Sequence, residues 1–156
     1  MKKIIRVIRD FLSKLLEEEQ LQFDEWKFDA QDIQSLAYKC FPKAEVFVWD
    51  RIFYYIKDEN WAQVVSDVLL NMPDYTASRF DCENFALLCA SRVSSKYKLN
   101  SMGIAIGSNK SGPHGFNVFL TRHDNEAQFM ILEPQNGDYY SLEDDSGYEV
   151  NKLILG

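Results

Sequence analysis

The sequence predicts a single α+β domain spanning residues 1–156, with N-terminal helices packed on a mainly antiparallel sheet. Two observations lead there. Apolar residues recur at helical spacing through much of the first hundred positions, whereas short β-prone runs separated by turn clusters fill the rest. A third bounds the size: 156 residues, 46% of them hydrophobic, bury enough apolar surface for one core without disulfide or metal staples.

The opening run MKKIIRVIRDFLSKLLEEEQ places Ile4, Ile5, Ile8, Phe11, Leu12, Leu15 and Leu16 on one helical face, predicting an amphipathic helix over 3–20 within an N-terminal extension, 1–22. Its charges oppose the helix dipole, basic at the start and acidic at the end, so it depends on packing for stability. A second helix is expected near 29–40, from an Asp29 or Asp32 cap to the stop before Pro42. Residues 45–56, EVFVWDRIFYYI, read as one or two strands around Asp50. Asp58 can cap a third helix over 59–71, and Asp81 a fourth that opens FDCENFALLCASRV. Beyond residue 100, MGIAIG, GFNVFLTR, AQFMILEPQ and YEVNKLIL read as strands, with SNKSGP, HDNE and NGD as their turns.

Charge removes several function classes. Twenty-four acidic residues against 17 basic ones give a formal net charge of -7, which disfavours a phosphate backbone as partner. The first twenty residues lack a small-residue cleavage site, and no apolar run reaches the length of a spanning helix, so no membrane partner is expected. Three cysteines without CxxC spacing argue against a disulfide framework or zinc ribbon. A reducing, cytoplasmic setting is expected.

Chemistry concentrates on three residues. Cys82 sits in the first turn of a helix, where unpaired N–H groups and the dipole favour thiolate, while Asp81 and Glu83 oppose it. His114 stands where a Gly/Pro-rich loop enters a strand. A tight HDNE turn would pair 115–122 with 127–133 antiparallel, so that Glu133 faces Phe116 and Gln135 faces His114. Glu133 and His114 then share a sheet face, with Gln135 as an alternative orienting group. The order Cys, His, Glu suits acyl transfer: a thiolate attacks, an imidazole moves the proton, and a carboxylate fixes its tautomer. The Cys82 backbone N–H would hold the oxyanion. His123 reads as a solvated turn residue, and Cys40 and Cys89 as packing residues.

The words FDCENFALLCA, PHGFNVF and LEPQNGDYY, in that order, resemble two groups of papain-like thiol enzymes. One is the bacterial transglutaminase-like cysteine proteinases; the other is the protease-like C-terminal domain of Marasmius-type fungal agglutinins. The likeness covers residues 75–140. It implies a papain-like fold with Cys82 as nucleophile, His114 as base and Glu133 as orienting acid. Calcium held by Asp81 and Glu83 is a further implication of the resemblance, although the chemistry itself needs no cofactor. The reading that follows is a thiol hydrolase, a cysteine peptidase or amidase acting on a protein or peptide substrate. The alternative is a non-catalytic binding or regulatory module on the same fold.

Overall fold

A strand, not a helix, leads the fold. The computed structural model describes residues 23–142, 144 and 147–156, so the helix expected over 3–20 lies outside the described residues. The elements run β1 Trp26–Asp29, α1 Ala30–Cys40, β2 Glu45–Val48, β3 Ile52–Lys57, α2 Asp58–Val68, α3 Cys82–Tyr97, β4 Met102–Asn109, β5 Gly112–His123, β6 Glu126–Leu132, β7 Tyr139–Ser141 and β8 Glu149–Leu155.

Local chemistry explains the boundaries. Asp29 ends β1 and starts α1, its Oδ1 accepting the Gln31 and Asp32 amides at 2.9 Å each. α1 buries Ile33 and Ala37 and stops at Phe41, whose successor Pro42 cannot continue a helix. Asp58 opens α2 rather than preceding it, and Trp61, Val64, Val65 and Val68 form its buried face. A capping box between Asp81 and Asn84 starts α3, with Asn84 Oδ1 accepting the Asp81 amide at 3.2 Å.

The sheet runs β1-β3-β5-β4-β8-β2, with β6 on β5 and β7 on β6. β2 and β3 do not form a hairpin. Asn100 holds the start of β3 and the loop before it, its Nδ2 donating to Asp50 Oδ2 and the Ile52 carbonyl while its Oδ1 accepts the Tyr54 amide. β2 instead pairs parallel with β8, and β3 parallel with β5. β5 and β6 pair antiparallel with Asn117 opposite Leu132 and Val118 opposite Ile131, the register that the HDNE turn predicts.

The expected architecture, helices first and packed on one sheet, is corrected. Among the described residues strands and helices alternate up to β3, and the sheet is mixed and covered on both faces. On one face Ile33 and Ala37 of α1 pack with Phe116, Val118 and Leu120 of β5 and with Leu153 and Leu155. On the other, Trp61 and Val64 of α2 and Cys89 and Val93 of α3 pack with Phe119 and Met102. Burial from both sides is why β5 reads FNVFL as a near-continuous apolar run rather than an alternating one. Trp61 is fully buried, and its indole N–H donates to the Leu120 carbonyl at 3.2 Å. No helix among the described residues is long and apolar enough to cross a membrane.

Candidate functional site

Two elements meet closely at the start of α3. Gly115 on β5 lies so near the helix that a β-carbon there would stand 2.9 Å from Glu83 Cα and 3.0 Å from its backbone nitrogen. Two residues further along the same strand face, the buried Asn117 amide donates to the Ala86 carbonyl of α3 and to the Gly103 carbonyl of β4, each at 2.9 Å. Glycine permits the approach, and asparagine fixes the height of the helix above the strand.

This docking brings Cys82, His114, Glu133 and Gln135 to one open cleft of about 430 Å³, with Tyr75 and Asn136 on its lining. His114 Nε2 and Glu133 Oε2 share a hydrogen bond of 2.5 Å, with the two side chains only 11% and 9% exposed. The Glu133 carboxylate is satisfied further by the Tyr148 hydroxyl at 2.9 Å and the Gln135 amide at 3.2 Å. Its main chain is equally held, since the Glu133 amide donates to Asp138 and its carbonyl accepts the Gly137 amide. The His114 ring lies at a 19° angle to the Phe116 ring, centroids 6.1 Å apart. Gln135 therefore orients Glu133 through its backbone rather than His114 through its side chain.

Cys82 takes no part in that network. Its thiol donates to Glu83 Oε2 at 3.1 Å, and no hydrogen bond joins it to His114. Burial pushes the Cys82 thiol up, and the neighbouring Glu83 carboxylate adds to this; the Gly115 backbone N–H pulls the other way without prevailing. The same hydrogen bond from Cys82, with the residue's own backbone N–H, holds the Glu83 carboxyl below its usual range. The helix start alone favours thiolate, but burial first and the adjacent carboxylate second push the other way.

Asp81 and Glu83, the calcium candidates, lie together at the start of α3: Asp81 caps the helix and accepts the Ser78 amide at 3.2 Å, while Glu83 accepts the Cys82 thiol and interacts with the Asp81 side chain. Among the described residues no group of three or more His, Cys, Asp and Glu side chains is placed to hold a metal ion. Calcium takes six to eight oxygens, and two carboxylates alone do not supply them. His123 lies at the far end of β5, half exposed, and pairs with Asp58 Oδ2 at 2.5 Å, which pushes its imidazole up. Cys40 is half-buried and Cys89 fully buried.

Sequence reasoning missed Tyr75 and Tyr148. Tyr75 is presented by a loop that closes on itself through reciprocal Thr76 and Phe80 amide bonds of 2.8 Å. Its ring stacks on Phe85 at 25°, and Phe80 packs edge-on against the same Phe85. The DYTASRFD stretch carried a signal in its two aromatics around a turn, but nothing in it says which cleft they border. Tyr148 belongs to a segment whose tie to Glu133 spans 15 positions.

No family model and no curated protein matches this chain. Solved structures do. One, described as a PSL1a–E64 complex, superposes with a TM-score of 0.64 at 17% identity over 82% of this chain and 51% of that one. Another, the Polyporus squamosus lectin bound to the human-type influenza-binding epitope Neu5Acα2-6Galβ1-4GlcNAc, gives 0.65 at 19% identity over 82% and 49%. The chain thus spans about half the length of these structures and shares its fold with that part of them. The resemblance to papain-like peptidases, whether transglutaminase-like proteinases or the agglutinin protease domain, is corrected accordingly: the chains that share this fold carry a lectin's name. The thiol hydrolase and cysteine peptidase reading is corrected as well: a structure that shares this fold is titled a lectin, and Cys82 is hydrogen-bonded to Glu83 rather than to His114.

Proposed function

We propose that this protein is a non-catalytic binding module and that the cleft beside His114 receives a glycan. One observation carries the reading: the cleft holds a locked polar frame rather than an armed nucleophile. His114 is committed to Glu133, and the Cys82 proton is committed to Glu83. A frame of this kind, with Asn136, Ser111 and Asn109 around it, offers fixed donors and acceptors to a hydroxyl-rich ligand. Rigid polar groups of this sort favour binding because little ordering cost remains at association. The lectin neighbours support the same ligand class.

The test is calorimetric titration of the intact chain with a panel of oligosaccharides that includes Neu5Acα2-6Galβ1-4GlcNAc, in parallel with a peptide-hydrolysis assay. Saturable sugar binding that His114→Ala weakens at least tenfold is the expected result. Peptide turnover that disappears in Cys82→Ala would overturn the reading.

A further inference from the structure

We infer that the cleft selects neutral sugars and that Tyr75 is the platform on which a sugar ring stacks. The inference rests on the glycan reading above and narrows it to a ligand class. Tyr75 is 56% exposed although its ring is backed by Phe85, so one face is supported and the other is open. An aromatic face held in this way presents apolar area at low entropic cost, and a pyranose ring has an apolar C–H face to lay against it.

The loop carrying Tyr75 is already shaped. The paired amide bonds of Thr76 and Phe80, the Arg79 amide on the Thr76 carbonyl at 3.0 Å and the Ser78 amide on Asp81 fix it before any ligand arrives. Ser78 adopts a positive φ of 59°, a conformation that costs free energy in a residue other than glycine, and the loop's hydrogen bonds hold it.

Charge supplies the selectivity. Among the described residues no Lys or Arg lines the cleft, whereas Glu133 lines it and Glu83 is bonded to the lining Cys82. Arg79 shares the Tyr75 loop without lining the cleft, and the Lys110 stem lies against Gly147. A sugar carboxylate entering here would meet the Glu83 carboxylate, while the imidazole among the described lining residues, His114, is already taken by Glu133. Neutral glycans meet only hydrogen-bonding groups and the Tyr75 face.

The experiment compares Galβ1-4GlcNAc with its α2-6-sialylated form by calorimetry at low and high salt. The neutral disaccharide should bind at least tenfold tighter at low salt, with the gap narrowing as salt screens the carboxylates. Glu83→Gln should narrow the gap at low salt as well. Tyr75→Ala should lose at least tenfold in affinity for the neutral sugar, while Tyr75→Phe restores it to within threefold, because the ring and not the hydroxyl makes the contact. Equal or tighter binding of the sialylated form at both salt levels, or an unchanged affinity in Tyr75→Ala, overturns the inference and leaves the glycan reading standing. Binding of neither sugar by the intact chain overturns both.

Discussion

Gly115 and Glu83 touch backbone to backbone: a β-carbon on Gly115 would stand 2.9 Å from Glu83 Cα, with no flexible side chain between them to yield. The start of α3 is therefore seated directly on β5, and the cleft's shape depends on that seat. Gly115→Ala is expected to lift the helix start, destabilise the fold by about 1–3 kcal/mol and weaken any ligand that spans Cys82 and His114. Urea denaturation and calorimetry on the same variant would measure both effects.

The thiol at the cleft is expected to be sluggish. Because burial and the Glu83 carboxylate both favour its protonated form, iodoacetamide should modify Cys82 slowly at pH 7, with a rate that climbs steadily as pH rises towards 9. Glu83→Gln removes the anion and should speed the reaction about three- to tenfold at pH 7.5. Peptide mapping by mass spectrometry separates this signal from Cys40. A fast, pH-independent reaction at Cys82 would mean that thiolate is the resting form.

Glu133 is buried among three donors, so replacing it is expected to be costly whatever binds at the cleft. Glu133→Gln turns one acceptor oxygen into a donor facing His114, Tyr148 or the Gln135 amide. A loss of about 1–3 kcal/mol in urea denaturation follows. Tyr148→Phe, which removes a single bond and keeps the ring against Phe116, should cost about 1 kcal/mol.

Alkaline stability should report on Cys89. Burial raises this thiol from its ordinary 9.0 to about 12. Between those values the unfolded chain gives up the proton and the folded chain keeps it, so the folded state loses stability as pH rises. The slope from this one group approaches roughly 1.4 kcal/mol per pH unit. Cys89→Val should flatten the fall by that amount when denaturation is followed from pH 8.5 to 11.

Calcium is expected to leave the melting temperature within about a degree of its metal-free value, since ligand-linked stabilisation requires a site that binds tightly in the folded state. Asp81 and Glu83 already have partners, one at the helix cap and one at the thiol, and binding calcium would have to displace them. A clear upward shift, abolished by Asp81→Asn with Glu83→Gln, would establish the pair as ligands.

Much of the local structure was legible because local chemistry decides it. The Asp29 cap, the opening of α3 after Asp81 and the register across the HDNE turn all follow from residues within a few positions of each other. The hairpin register in turn puts His114 and Glu133 within reach. What periodicity does not encode is the identity of a strand's partner. EVFV and IFYYI look like neighbours in sequence, yet each pairs with a distant strand. The short strands WKFD and YYS gave too few alternations to stand out. At the cleft, the motif words pointed to residues that the fold brings together, but not to their hydrogen-bond partners. One hydrogen bond between adjacent side chains, Cys82 to Glu83, changes what the same three letters can do. The family reading failed for a related reason: motif words sample a few short segments, whereas the structural neighbours are identified over 82% of the chain.

The parallel pairing of β2 with β8 carries a consequence for synthesis. β2 leaves the ribosome more than a hundred residues before β8, the strand that completes its ladder. Until then its main chain and the flank of β4 are open edges, and such edges recruit other chains. A nascent or truncated product lacking the seven residues of β8 is therefore prone to aggregate. Ribosome-stalled chains released just before Glu149 should need chaperone help that chains containing β8 do not.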